Sequence, residues 1–213
     1  MVVNILAYAD DMIILAPSWY AMQDLLKILE LHCHKLDIIR NTKKIVCMVF
    51  KPIRKDGIVS QAFPPFTLNK DGLCYVSEFR YLGHIINDRL QDDCDIRREI
   101  RSLFARTNLL ISKFGNCSNT VKKLLFKTYC LCMYNLALWK YYTVTVHHKF
   151  KSCYNRCVKK FFRFQRRDSM SNVLIELSLP SADTVIHNSR VLFHNQYTMC
   201  NNSIVAWFVS IGI

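Results

Sequence analysis

Residues 4–16 read NILAYADDMIILA, two short apolar runs separated by the neighbouring acids Asp10 and Asp11. β-branched residues on both sides favour strands, so the stretch predicts two short strands joined by an acidic turn. Two adjacent carboxylates repel one another, and burial of the flanking residues raises that cost. A hard divalent cation such as Mg²⁺ would remove the repulsion. The alternative is a solvated turn, because Asp favours turns by itself, although turns between such apolar runs usually contain Gly.

The chain changes character near residue 90. Before that point, apolar spacing predicts one amphipathic helix at residues 19–36, with Ser18 as its N-cap. Strands are expected at residues 45–50, at 66–69 paired as a hairpin with 74–76, and at 79–86 with an interruption at Gly83. Residues 51–65 contain three Pro and one Gly and are expected to form a loop. After that point, helical spacing predicts helices that end near Phe114 and that cover residues 120–139, 148–164, 170–177 and 182–200. The expected fold class is therefore α+β, with antiparallel strands plus one helix at residues 1–90 and an all-helical unit at residues 91–213.

The charge of the chain favours a polyanionic partner. The 213 residues carry 29 Lys and Arg against 16 Asp and Glu, which gives a formal net charge of +13. Such a balance fits nucleic acid or an acidic membrane surface. No uninterrupted apolar stretch of about 18 residues is present, so no membrane-spanning helix is expected.

The ten cysteines do not follow the regular spacing of a small secreted scaffold. Several of them lie inside apolar helical patterns, where a free thiol behaves as a small hydrophobic group. The sequence therefore predicts free thiols in an intracellular, reducing compartment, and it leaves open whether that compartment is the nucleus or the cytoplasm.

Residues 149–167 form the most basic segment that we single out, with eight Lys and Arg and no acid. Phe150, Tyr154, Cys157 and Phe161 recur on one helical face and should pack inward, which leaves a cationic face for phosphates. A solvated basic face is one alternative, and a membrane-surface helix with an exposed aromatic face is another. Together with an earlier basic helix, the segment predicts contacts to a nucleic-acid backbone by Arg97, Arg98, Arg101, Lys159, Lys160, Arg163, Arg166 and Arg167.

The tetrapeptide YADD at residues 8–11 resembles the YADD box of reverse transcriptases, and in particular of non-LTR (LINE-type, jockey-like) retrotransposons. Further blocks follow in the order of that family. NTKK at residues 41–44 with CMVF at 47–50 resembles the N-x-x-K-T…M-x-F block, and FRYLG at 79–83 resembles the F-K-Y-L-G primer-grip block. Two segments, 96–101 and 125–139, resemble helices of the thumb, and RRDS at 166–169 resembles a further short motif. Ile45 departs from the family, which usually has Thr at that place.

The resemblance implies an RNA-directed DNA polymerase that uses two Mg²⁺ ions and binds an RNA template and a DNA primer. Residues 1–90 would be part of the polymerase palm, and residues 91–213 a helical thumb. Asp10 would be the principal metal ligand, Asp11 the supporting acid, and Tyr8 would line the primer end. Lys44 would match the lysine that protonates the pyrophosphate leaving group, a role that suits a flexible ammonium. The primer grip would comprise Phe79, Tyr81, Leu82 and Gly83.

The resemblance also implies parts that this sequence lacks. In the family, the fingers and a further catalytic carboxylate come before YADD, whereas the nine residues before Asp10 contain no acid. We therefore expect a fragment that is inactive alone and binds Mg²⁺ weakly or not at all. The missing fingers and N-terminal palm of the parent protein would be its partner. Alternative interpretations are a non-catalytic nucleic-acid-binding relic of a mobile element and an unrelated basic helical protein, the second of which fits the ordered blocks poorly.

Overall fold

The computed structural model describes residues 4–38, 41, 44–51, 63–69, 71–133 and 135–211. Within them the chain forms seven α-helices and eight short strands, so the predicted α+β class is confirmed. The chain divides into two compact units, Met1–Phe79 and Arg80–Ile213.

The first unit opens with the predicted hairpin. Strand β1 (Ile5–Tyr8) runs antiparallel to β2 (Asp11–Ile14), with Tyr8 opposite Asp11 in the register. Helix α1 (Trp19–Lys35) follows, and the Ser18 hydroxyl accepts a hydrogen bond from the Ala21 N–H at its first turn. Both elements were predicted from local pattern and turn chemistry, and both are confirmed.

The remaining strands of the first unit differ from the prediction. The strand expected at residues 45–50 shortens to β3 (Val46–Cys47), which pairs in parallel with β6 (Cys74–Tyr75). Strand β4 (Thr67–Leu68) pairs instead with β5 (Asp71–Gly72), so the predicted hairpin between residues 66–69 and 74–76 is wrong. The loop expected at residues 51–65 lies mostly outside the described residues.

The observed pairing is the one that builds a core in the first unit. Leu73 donates its backbone N–H to Phe66 O at 2.8 Å, which closes the short β4–β5 turn. Phe66, Leu68 and Leu73 are then buried together with Leu26 of α1. Burial of these four apolar side chains outweighs the ladder bonds that the longer hairpin would have added.

The segment at residues 79–86 is a hairpin rather than one interrupted strand. Strand β7 (Glu78–Tyr81) pairs with β8 (His84–Asn87), and Leu82 and Gly83 make the turn. Both turn residues have positive φ, 45° and 86°. Two-residue hairpin turns of the primed type require this conformation, and Gly supplies it without strain.

The second unit is mainly helical. Its helices are α2 (Asp93–Phe114), α3 (Asn119–Cys130), α4 (Val144–Phe162), α5 (Met170–Leu177), α6 (Ala182–Thr198) and α7 (Ser203–Ser210), with a 3₁₀ turn at Leu136–Leu138 between α3 and α4. The helices predicted at residues 148–164, 170–177 and 182–200 are confirmed to within a few residues. Helix α7 lies in an apolar tail for which no helix was predicted.

The helix predicted at residues 120–139 is wrong beyond Cys130, where α3 ends. Leu136 and Trp139 are each 1% exposed and belong to the same core as α3. A straight helix of 20 residues is about 30 Å long, and it would carry those side chains away from that core. Tyr129, near the end of α3, is 54% exposed.

Helices α2 and α4 lie side by side and run in the same direction. Ile100 O accepts from Cys153 Sγ at 3.7 Å, and further along both helices Asn108 Oδ1 accepts from Lys160 Nζ at 3.0 Å. The inner face of α4 packs against Phe126 of α3, whose ring lies edge-on to the ring of Tyr154. This packing fixes which face of α4 reaches solvent.

Candidate functional site

The acidic turn of the first unit presents its carboxylates to solvent. Ala9 and Asp10 connect the two strands, and Tyr8, Asp10 and Asp11 are all exposed, Tyr8 by 64%. Ala9 has φ 52°, in the left-handed region that costs a residue with a Cβ about 1–2 kcal/mol. Two-residue hairpin turns commonly require a positive φ, so the turn geometry accounts for this strain, and the exposed acids are the feature that points to function.

The donor set of this turn suits a hydrated hard cation. Mg²⁺ is commonly held by one or two carboxylates while water and substrate phosphates complete its octahedron. Asp10 and Asp11 match that pattern. Within the described part of the chain, no group of three or more His, Cys, Asp or Glu side chains lies close enough to hold a metal ion. A cation at this turn would therefore have two protein carboxylates beside it, and water or substrate would have to complete its coordination.

The other residues suggested by the resemblance lie on a turn at Lys44 and in the β7–β8 hairpin. Lys44 is exposed, and its backbone N–H donates to Asn41 O at 3.0 Å. Phe79 is 41% exposed and Leu82 50%, whereas Tyr81 is half-buried. Gly83 O accepts a hydrogen bond from Asn135 Nδ2 at 3.1 Å, which anchors the tip of the β7–β8 hairpin within the second unit.

Four of the eight residues predicted to contact phosphates donate hydrogen bonds to neighbouring groups. Lys159 donates to the carbonyls of Arg166 and Asp168, at 3.0 and 2.6 Å, and thereby shapes the turn after α4. Arg98 is only 21% exposed and pairs with Asp95 and Glu99, so its charge is neutralised inside the unit. Lys160 and Arg163 instead bond to neutral amides, the Asn108 and Asn116 side chains.

The acids beside Arg98 neutralise its charge, whereas the amides beside Lys160 and Arg163 do not. An amide oxygen orients a cation but leaves its full charge available to a phosphate. Holding a long side chain in place also lowers the entropy that is lost on binding. Arg101, Arg166 and Arg167 are exposed as well. Arg97 is more than half exposed and forms a long ion pair with Asp93, at 3.9 Å.

Nearly all of the net charge lies in the second unit. Residues 80–213 hold 20 Lys and Arg against 8 Asp and Glu, a net +12, whereas residues 1–79 hold 9 against 8, a net +1. Residues 100–167 contain 15 Lys and Arg and no acid. Only Arg101 and residues 149–167 of this acid-free stretch were predicted to contact phosphates, although a count of acids along the chain reveals all of it.

The aromatic face of α4 is packed inside the unit. Phe150 and Tyr154 are fully buried, and Cys157 and Phe161 are each 1% exposed. This confirms the predicted apolar stripe, and it contradicts the alternative of a membrane-surface helix, which requires those rings to be exposed. None of the helices in the described ranges is both long and apolar enough to cross a bilayer.

Comparison of the chain with protein-family models, with curated proteins and with solved structures finds no match. The resemblance to reverse transcriptases therefore rests on the short blocks of residues alone. The structural features that bear on function are two exposed acids in the first unit and a surplus of cations in the second.

A buried polar cluster at the start of α2 was missed by the sequence analysis. Asp95 is 0% exposed, and its carboxylate accepts hydrogen bonds from Trp139 Nε1 at 2.8 Å, Arg98 Nε at 2.7 Å and the Ile85 N–H at 3.1 Å. His84 Nδ1 lies 3.2 Å from the same carboxylate. Arg106 pairs with the neighbouring buried Glu99. A buried carboxylate with this many donors is stable as the anion.

The pKa values of the cluster follow from these contacts. Burial acts to raise the pKa of Asp95, but hydrogen bonds from His84, Arg98 and Trp139 outweigh it and hold that pKa well below its usual range. The carboxylates of Asp92, 3.6 Å from Nε2, and of Asp95, 3.2 Å from Nδ1, raise the pKa of His84 to about 9 against the opposing effect of burial. His84 is therefore an imidazolium at neutral pH, between two carboxylates.

Asp92 and Asp93 shape the segment that leads into α4. Oδ2 of Asp92 accepts from the backbone N–H groups of Lys140 and Tyr141, at 2.7 and 2.8 Å. Asp93 accepts from the N–H and the hydroxyl of Thr143, at 2.8 and 2.9 Å. The cluster therefore joins β8, α2 and the start of α4. Its visible signal is the group of acids at residues 92–95, although their partners are distant in sequence.

Proposed function

We propose that this chain is part of an RNA-directed DNA polymerase of the reverse-transcriptase kind, from a non-LTR retrotransposon. Support comes from the ordered blocks of residues and from the acidic hairpin, with Tyr8 and Asp11 paired beside an exposed, strained turn. In this proposal residues 1–90 belong to the palm, and the helices that follow form the thumb. Asp10 and Asp11 hold Mg²⁺ in the intact parent, and Lys44 supplies a proton or a positive charge to the departing pyrophosphate. A Mg²⁺ ion held by these carboxylates would supply positive charge for nucleotidyl transfer.

The second unit binds the template and primer through their phosphates. The charge distribution supports this binding, because residues 80–213 have a net charge of +12 and residues 100–167 contain no acid. Amide-held cations such as Lys160 and Arg163 are ordered before any ligand arrives. Contacts of this kind give affinity without sequence preference, as a polymerase that copies a whole template requires.

A non-catalytic nucleic-acid-binding protein is the second candidate. It is favoured by one observation: the described residues bring only two carboxylates to the acidic turn and contain no cluster of three possible metal ligands.

If the chain is instead part of a polymerase, the remaining palm and fingers of the parent would supply the further metal ligand. They would also cover the apolar hairpin residues Ile5 and Met12, each 52% exposed. On either interpretation the isolated chain binds nucleic acid and does not extend a primer.

An intracellular, reducing compartment is part of the proposal. All ten cysteines are free thiols, and Cys130, Cys153 and Cys157 lie in the core of the second unit. Burial raises the pKa of Cys47 and Cys130 to about 11, which keeps both protonated and poorly reactive. Such thiols persist where disulfides do not form.

Titration of a labelled RNA–DNA template–primer at several salt concentrations tests the binding. Affinity should fall steeply with salt, and Arg101→Gln should reduce the slope of log K against log salt by about 0.9. The matched control is Lys27→Gln, which removes an exposed charge from α1 of the first unit and should leave the slope unchanged. Equal effects of the two variants, or affinity that is independent of salt, would contradict phosphate binding by the second unit.

Mn²⁺ binding followed by electron paramagnetic resonance tests the acidic turn. In the absence of nucleic acid, Asp10→Asn and Asp11→Asn should each abolish the weak binding of the ion to the protein, whereas Asp24→Asn, at an exposed acid of α1, should not. Neither turn variant should weaken binding of the template–primer itself. Primer extension by the 213-residue chain, abolished by Asp10→Asn, would show that the chain is active alone and would overturn the second candidate.

A further inference from the structure

A cleft in the second unit combines aromatic rings with two cationic side chains. It has a volume of about 470 Å³, and its walls include Trp139, Lys140 and Tyr142 from the segment before α4 and Arg190 and Phe193 from α6. Lys140 and Arg190 are exposed, and Phe193 is 44% exposed. None of the described residues that line the cleft is acidic. A space of this size lies within the range of pockets that bind small organic molecules.

Arg190 is held in the cleft by neutral oxygens. Its Nη2 donates to Trp139 O at 2.6 Å and to the Tyr142 hydroxyl at 3.2 Å. Both contacts use Nη2, so they orient the guanidinium without using Nε or Nη1 and without neutralising its charge. A planar guanidinium fixed in this way is suited to bind phosphate oxygens.

An aromatic surface continues from the cleft along α6. The rings of Phe193 and Tyr197 have centroids 6.1 Å apart and planes inclined by 15°. Arg190, Phe193 and Tyr197 stand at i, i+3 and i+7, so they share one face of the helix. Phe193 is exposed and Tyr197 is half-buried. An exposed ring beside cations is an arrangement on which a nucleobase can stack while its phosphate is neutralised.

We propose that this cleft binds a nucleotide, with the base against Phe193 and the phosphate between Lys140 and Arg190. A free nucleoside monophosphate and a nucleotide within a single strand offer the same chemistry. In its single-strand form the proposal rests on the proposed nucleic-acid binding, to which it adds a base-stacking subsite. It is independent of the metal chemistry at the acidic turn.

Binding to the full 213-residue chain tests the cleft. The probes are a labelled single-stranded oligothymidylate, followed by fluorescence anisotropy, and AMP, followed by calorimetry. Phe193→Ala should weaken both by about tenfold or more, because one base loses its stacking partner. The matched control is Leu192→Ala, since Leu192 is 62% exposed on the same helix and lies outside the cleft. Circular dichroism of both variants establishes that they fold.

Two further ligands and one variant separate stacking from charge. Ribose 5-phosphate, which has no base, should compete poorly with AMP, and phenyl phosphate should compete more weakly than AMP. Lys140→Gln should reduce the salt slope for the single strand by about 0.7. Equal competition by phenyl phosphate would make the ligand an aryl phosphate of any kind and would overturn recognition of a nucleotide.

The outcomes for the cleft and for the proposed function differ. Unchanged affinity in Phe193→Ala, or an equal loss in Leu192→Ala, overturns the cleft even if the oligonucleotide binds in a salt-dependent way. Binding of AMP that depends on Phe193, with no binding of any polynucleotide, supports the cleft as a site for free nucleotides and overturns the proposed function.

Discussion

The indole N–H of Trp139 donates a hydrogen bond of 2.8 Å to Oδ2 of Asp95, and the two side chains are 1% and 0% exposed. The residues are 44 positions apart in sequence. Their contact joins the start of α2 to the segment that enters α4, and α4 carries much of the cationic surface. The orientation of that surface therefore depends on a buried carboxylate rather than on any basic residue.

Removal of the Asp95 carboxylate should destabilise the second unit strongly. Asp95→Ala leaves Arg98, His84 and Trp139 without their common acceptor, and loss of one partner from a buried ion pair costs about 3–5 kcal/mol. Trp139→Phe, which keeps the ring and removes one donor, should cost about 1–2 kcal/mol of unfolding free energy. Urea unfolding of the two single variants and of the double variant measures both values. Strict additivity would show that the two side chains do not interact.

Stability should fall as the pH rises above neutrality. The pKa of His84 is raised to about 9, above the unfolded value of 6.5, by the neighbouring carboxylates of Asp92 and Asp95. Its stabilising effect is therefore complete below pH 6.5 and is lost as the pH rises through about 9, by up to about 3 kcal/mol. Urea unfolding across this range should show the loss, and His84→Gln should flatten the profile. A profile that is equally steep in His84→Gln would place the titration elsewhere.

The free energy of unfolding should also fall at acid pH, which gives the pH profile an acid limb in addition to the alkaline one. The pKa of Asp95 lies well below its unfolded value of 3.8, so its contribution is present above that pH and is lost as the pH falls further. Asp95→Asn should remove most of this limb while the alkaline limb becomes smaller, because His84 then keeps only Asp92 as an anionic partner. The same urea series, extended to acid, measures it. An unchanged acid limb in Asp95→Asn would assign it to other carboxylates.

The turn at Ala9 should be relieved by glycine. Ala9 has φ 52°, which is strained for a residue with a Cβ, so Ala9→Gly should stabilise the hairpin by up to about 1 kcal/mol. Ala7→Gly is the matched control, since Ala7 lies in β1 opposite Met12 and glycine in a strand is destabilising. Amide hydrogen exchange in β1 and β2 reports both changes. The same sign of effect in the two variants would mean that backbone strain at residue 9 is not the cause.

The Asn108 amide beside Lys160 should raise the affinity for a polynucleotide without changing the salt dependence of binding. Asn108→Ala removes the oxygen that orients the ammonium, so binding of a polynucleotide should weaken about two- to threefold with an unchanged salt slope. Lys160→Gln should weaken binding further and reduce the slope by about 0.9 for duplex ligands. Anisotropy titrations at several salt concentrations separate the two. A reduced slope in Asn108→Ala would show that the amide acts on more than the position of Lys160.

The parts of the fold that were predicted correctly are those set by local pattern. The β1–β2 hairpin follows from two apolar runs around an acidic turn, and α1 follows from its apolar spacing and the cap at Ser18. The apolar stripe of α4 was also recognised from helical periodicity. Each of these signals lies within one turn or one element, where neighbouring residues decide the outcome.

The errors arose where a distant partner decides. Residues 131–139 have the apolar content of a helix, yet Trp139 is placed by Asp95 and by the core. Cys74 and Tyr75 pair with β3 rather than with β4, because Leu68 and Leu73 are buried on α1. Arg98 was read as a phosphate ligand, whereas two buried carboxylates occupy it.

The sequence by itself determined the α+β class, the acidic turn at Asp10 and Asp11, and the surplus of cations, because composition and short-range periodicity carry that information. Tertiary structure alone decided which cations remain available. Arg98 is neutralised by acids, whereas Lys160 and Arg163 are held by amides that leave their charge intact. It also brought Lys140 together with Arg190 and Phe193 in one cleft. The physical reason is that a side chain's charge is fixed by its chemistry, but its partners are fixed by which helices pack together.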